Sequence, residues 1–167
     1  MTDALKQLRM YGRRGVVIDA NLLLLFFLGS YDRKQISTNK RLAMFTESDF
    51  DLLTRVLKRF SQIVTTPNIL TEVSNLSNAI PDTKKAAYFS WFASSLAVLQ
   101  EEYVSSTTAL RNRWARFGLT DAGIAEIARN RYLVLTDDVR LSRSLESDGI
   151  ETLNFNHLRE GFWRPSN

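Results

Sequence analysis

Four carboxylates in this chain stand where side chains can do chemistry. Asp19 follows the apolar, β-branched run Val16-Val17-Ile18, and Asp138 (or its neighbour Asp137) follows Tyr132-Leu133-Val134-Leu135-Thr136. Asp121 opens an apolar helical pattern with Ile124, Ile127 and Ala128, and Glu72 falls early on a helix announced by Thr66-Pro67. Short apolar runs of this kind are strands covered on both faces, as in parallel sheets. Parallel strands deliver the residues just past their carboxyl ends to one rim, where ligands of open α/β sheets bind. Carboxylates gathered there repel, and their pKa values rise unless cations hold them apart. Hard divalent cations prefer oxygen donors, and Mg²⁺ binds through one or two carboxylates plus water and substrate phosphate. Mg²⁺ or Mn²⁺ is therefore the expected cofactor.

Each acid alone has a plainer role. Asp121 can cap its helix, Asp138 can do likewise, and Asp19 can close a turn at a strand end. Glu72 is harder to dismiss: Ile69, Glu72, Val73 and Leu76 are spaced i, i+3, i+4, i+7, which puts a carboxylate within an apolar stripe. An arginine partner would explain it as a buried ion pair.

The elements that must position these acids can be read in order. A polar, basic lead-in precedes a first strand at 16–19. Asn21 caps a wholly apolar segment, 22–28, stopped by Gly29, and a helix apolar on every side belongs inside the fold. Residues 30–46 read as a long loop with a helical start, carrying Arg33, Lys34, Lys40 and Arg41. A helix to Phe60, a second strand at 62–65 and the Thr66-Pro67 helix follow. Two aromatic-rich helices are expected at 83–100 and 103–117, the second ending in Arg111, Arg113, Trp114 and Arg116 before Gly118. A third strand at 132–136, a helix at 140–147, a last strand at 151–155 and a tail complete the chain. Alternating strands and helices imply an α/β fold, and no repeat or linker divides it.

Composition narrows the chemistry. With 167 residues the chain is long enough to bury roughly 70% of its unfolded surface as one domain. It has no cysteine and a single histidine, His157, so thiol chemistry, Cys-based zinc sites and paired imidazoles are excluded. Hydrolysis would have to run on carboxylates and bound metal. A net charge of +4 leans weakly toward a polyanionic partner. The apolar stretches are too short to span a bilayer, and a cytoplasmic location with no membrane partner is expected. His157 reads as structural or solvent-facing, and Phe162 and Trp163 as covering the core or a homodimer interface.

The stretches VVIDANLLL, TPNILTEVSNL, GLTDAGIAEIA and YLVLTDD resemble, in order, the four acidic motifs of PIN-domain nucleases, the family that includes VapC-type toxin ribonucleases. The resemblance covers most of the chain from about residue 16 to 156. It implies a Rossmann-like three-layer α/β/α sandwich with a mostly parallel central sheet and metal-dependent hydrolysis of RNA phosphodiesters. It carries catalytic or metal-binding roles to Asp19, Glu72, Asp121 and Asp138, and supporting roles to Asn21 and Thr136. The family pattern Thr-any-Asp selects Asp138 and leaves Asp137 as the middle residue, although both are acidic here.

The leading expectation is a single-strand endoribonuclease. One or two divalent ions held by Asp19, Asp121 and Asp138, with Glu72 on a ligand water or second ion, would activate water for in-line attack. Backbone contacts would come from Arg33, Lys34, Lys40 and Arg41, or from Arg111, Arg113 and Arg116. RNA is then the substrate; if the chain is a toxin, an antitoxin protein would block the acidic rim. The alternative is a PIN-like module that binds nucleic acid or protein without catalysis. A phosphoacceptor receiver-like domain ranks below both, because Asp19 has no acidic neighbour and no lysine follows the last strand.

Overall fold

The structure is a computed structural model that describes residues 3–163. Five strands, β1 (Val16–Ile18), β2 (Ile63–Thr65), β3 (Leu99–Glu101), β4 (Leu133–Thr136) and β5 (Thr152–Asn154), form one sheet in the order β3-β2-β1-β4-β5. Every neighbouring pair is parallel. β1 and β4 lie at its centre and are buried throughout, which is what their continuous apolar runs require. Helices flank the sheet, giving the expected Rossmann-like α/β arrangement.

The helices are α1 (Asp3–Tyr11), α2 (Ala20–Tyr31), α3 (Lys34–Thr38), α4 (Glu47–Leu57), α5 (Pro67–Ser77), α6 (Asp82–Ser95), α7 (Ser106–Ala109), α8 (Leu119–Ala128), α9 (Val139–Ser147) and α10 (Phe155–Trp163). The all-apolar α2 is the innermost: it packs on α4, α5 and α6, and Leu22, Leu23, Leu25, Phe27 and Leu28 are wholly excluded from solvent. It does not stop at Gly29. That glycine lies inside the helix because a Cβ there would meet the Phe50 ring of α4 at 2.5 Å, so the residue marks a close approach of two helices rather than a terminus. Tyr31, Tyr88, Trp91 and Phe92 continue this core in edge-to-face, tilted and stacked contacts.

Several expectations change. The lead-in is helix α1, whose Gln7 donates from Nε2 to Glu151 Oε2 (2.9 Å) and to the Thr152 carbonyl (3.3 Å), covering β5. The long loop holds α3 and a 3₁₀ turn at Lys40–Leu42, anchored by buried Ile36 and Leu42. The helix expected at 83–100 ends at Ser95, and Leu99–Glu101 leaves it to form edge strand β3 beside β2. The helix expected at 103–117 is instead the single turn α7 and a 3₁₀ segment at Asn112–Phe117. Serine and threonine at 105–108 bond one another and the local backbone, Ser105 capping α7, and so favour a short turn over continued helix.

The tail contributes α10, whose Arg159 guanidinium grips buried Asp49 of α4 at 2.9 Å. His157 is exposed on α10; the side chains of Phe162 and Trp163 lie outside the described residues. Among the described residues no helix is long and apolar enough to cross a membrane.

Candidate metal centre at the carboxyl rim of the sheet

From β1 the chain reaches β2 on one side, while β4 pairs on the other. The crevice past the carboxyl ends of β1 and β4 is thus the switch point where such folds take ligands. Asp19 stands at its mouth. Its amide donates to the Leu135 carbonyl of β4 at 3.1 Å, which fixes the backbone. It also caps α2: Asp19 Oδ1 accepts from the Leu22 amide at 2.9 Å, so helix α2 starts on Asp19 and not on Asn21. Oδ2 accepts from the Thr136 hydroxyl and, at 3.0 Å, from the Asp137 amide. Thr136 therefore supports the site by holding Asp19.

Asp137 faces Asp19 across this crevice. Both are buried, at 6% and 7% exposure. Burial, then the charge of Asp137, pushes the Asp19 carboxyl well above the ordinary aspartate range, against the hydrogen bonds from Thr136, Leu22 and Asp137. Burial likewise raises Asp137, moderated by hydrogen bonding to Asp19 and Asn21. Asn21 thus touches the site as a partner of Asp137. Asp137 Oδ1 is buried with no hydrogen-bond partner, and a buried acceptor left bare is costly. Its carbonyl is held by Asn156 Nδ2 at 2.7 Å, a contact between β4 and α10 that no local sequence signal announces.

Asp138 turns outward. It is exposed, and its Oδ1 caps α9 by accepting from Arg140 (2.7 Å) and Leu141 (3.0 Å) amides. Asp121 does not cap α8: Gly118 (φ 88°) precedes the helix with no side-chain cap and Asp121 lies in its first turn, so its carboxylate is not spent on the backbone. Burial raises it to about 6, helped by the charges of Asp138 and Glu72 and opposed by Arg140. Glu72 is exposed rather than buried in the α5 stripe, while Ile69 and Val73 face the core. It needs no arginine partner.

The acids form one electrostatic chain, Asp19 to Asp137 to Asp138 to Asp121 to Glu72. Among the described residues, however, no three His, Asp or Glu side chains converge closely enough to cage a metal as they stand. The donor set nevertheless fits a hard cation: all-oxygen ligands, raised carboxyl pKa values and a bare buried oxygen are what a divalent ion would relieve.

The basic candidates divide. Arg33 is held by Glu47 (3.1 Å) and Asp51 (2.8 Å), and Arg113 by Asp148 (2.9 Å). Lys34, Lys40, Arg41 and Arg111 are exposed. Arg116 lies over the Phe117 ring at 5.1 Å, as does Arg140 at 4.8 Å. Arg140 beside the acidic rim escaped the sequence reading; its place two residues after Asp138, at the start of a helix, was the available signal. The chain matches no known protein-family model and no curated protein.

Proposed function

We propose that this rim is the centre of a Mg²⁺- or Mn²⁺-dependent endoribonuclease of the PIN-domain kind, hydrolysing phosphodiesters of single-stranded RNA. The observation that carries the reading is the buried pair Asp19 and Asp137 at the β1–β4 switch point, with a bare Asp137 oxygen and the carboxyls of Asp19, Asp137 and Asp121 displaced upward. Mere binding to phosphate calls for no such concentration of negative charge; a divalent cation does.

When bound, the ion would acidify a coordinated water and offset charge on the phosphoryl oxygens. The chain's own part is to hold oxygens in place. Thr136 and the Asp137 amide fix Asp19 Oδ2, Asn21 and Asn156 fix Asp137, and α9's amides bind Asp138 through Oδ1. Asp121, ionising at about 6, is a carboxylate at neutral pH but close enough to its pKa to exchange a proton with solvent or substrate. Glu72, exposed on the first turns of α5, completes the set from the side of β2. As a toxin, the protein would be neutralised by an antitoxin covering this rim, and co-expression of that partner would rescue growth.

The test is a panel of single-stranded RNA and DNA incubated with Mg²⁺, Mn²⁺ or chelator. Wild type cleaves RNA only with metal, and Asp19→Asn and Asp121→Asn do not, while both keep their fold by circular dichroism. Cleavage undiminished in both variants, from protein free of contaminating nuclease, overturns the proposal. RNA binding without cleavage, together with no heat of Mn²⁺ binding in calorimetry, favours the non-catalytic module.

A further inference from the structure

We propose that Arg116 and Arg140, arrayed on the single ring of Phe117, form the phosphate grip that feeds a nucleic-acid strand to the acidic rim. This rests on the reading of the rim as facing single-stranded RNA, and it names the residues that bind the strand.

Several arginines that look available in sequence are engaged. Arg33, Arg113, Arg129, Arg131 and Arg159 each pair with a carboxylate. Arg116 and Arg140 are exposed, and among the described residues neither makes an ion pair. Instead both guanidiniums stand over one ring, Arg116 at 5.1 Å and Arg140 at 4.8 Å from its centroid. Ring contact leaves both positive charges in place, and Arg140 also acts on the Asp121 carboxylate, favouring its ionised form. A phosphate at this ring would meet two positive charges.

The location is as informative as the charge. Phe117 is tilted against buried Trp114 with centroids 4.9 Å apart, which anchors the ring in the fold. Gly118 then turns the chain, and Asp121 lies in the first turn of the next helix. Arg140 springs from the first turn of α9, its amide on Asp138 Oδ1 at 2.7 Å. The two cations therefore arrive from the segments that carry two of the acids. Arginine suits this duty: its planar fork grips phosphate oxygens bidentately, and its face stacks on a base.

The test is fluorescence anisotropy of a short fluorescein-labelled RNA of mixed sequence with the full chain in EDTA, across a salt series. Arg116→Ala and Arg140→Ala each weaken binding about 3- to 10-fold regardless of sequence, and each lowers the salt slope by about 0.7. Arg131→Ala, whose guanidinium is already paired with Glu102, changes neither. Phe117→Tyr keeps affinity and salt slope, while Phe117→Leu, which also gives up the packing on Trp114 and melts lower, weakens binding at a temperature where circular dichroism shows it folded. Wild-type affinity and slope in both arginine variants overturn the inference, as does a wild-type chain that binds no RNA. Cleavage with Mn²⁺ is scored separately: weakened variants without any wild-type cleavage leave the grip standing and sink the nuclease.

Discussion

Replacing Asp121 by asparagine should make the protein more stable at pH 8 and leave its stability unaltered at pH 4. The carboxyl ionises at about 6 rather than 3.8, because it is partly buried beside Asp138 and Glu72. A raised carboxyl pKa means that the folded state holds its proton more tightly than the unfolded chain. The folded state is thus favoured below pH 3.8, and it loses that advantage as pH rises to about 6, above which the cost is complete. Two units at about 1.4 kcal/mol each give roughly 3 kcal/mol. Solvent screening of a carboxyl that is not fully buried takes this to about 1.5 kcal/mol. A negative charge in the first turn of α8 returns about 0.5 kcal/mol through the helix dipole, and asparagine forfeits it. The net gain is about 1 kcal/mol, or about 2–4 °C in a chain of this size. Thermal melts of the metal-free wild type and variant at pH 4 and pH 8 read it out. Equal shifts at the two pH values, or destabilisation at pH 8, would refute the claim that this acid is held at an energetic cost the apo fold tolerates for function.

Metal affinity and core packing should respond as well. Mn²⁺ binding followed by calorimetry should strengthen as pH rises through about 6 and release protons, because Asp121 must ionise to act as a ligand; affinity independent of pH between 5 and 8 on that reasoning would remove Asp121 from the ligand set. Gly29→Ala should cost about 1–3 kcal/mol in urea melts, since its methyl would meet the Phe50 ring at 2.5 Å, and Phe50→Leu in the same chain should recover part of the loss.

The sequence by itself settled the central frame. Val16–Ile18 and Leu133–Thr136 are buried on both faces, so no alternation can disguise them, and acids at their ends had to meet on one rim once the strands were parallel. The Thr66-Pro67 start and Gly118 were equally legible, because caps and positive φ are local demands that local residues answer. What the sequence left open depended on contacts distant along the chain. β3 is a three-residue edge strand of Leu-Gln-Glu, and only its pairing with β2 makes it a strand at all. Gly29 looked like a stop until Phe50, twenty-one residues on, was seen against it.

The acids divide along the same line. Their types and order were in the sequence; their states were not. Glu72 shares the spacing of Ile69, Val73 and Leu76 but falls at the stripe's margin, so the tertiary packing leaves it in water. Asp137 and Asp138 are adjacent and chemically identical, yet one is buried against Asp19 with a bare oxygen and the other caps a helix in solvent. A carboxylate's charge comes with its residue type, but the energy of that charge depends on which neighbours and how much water surround it, and these only the folded chain decides.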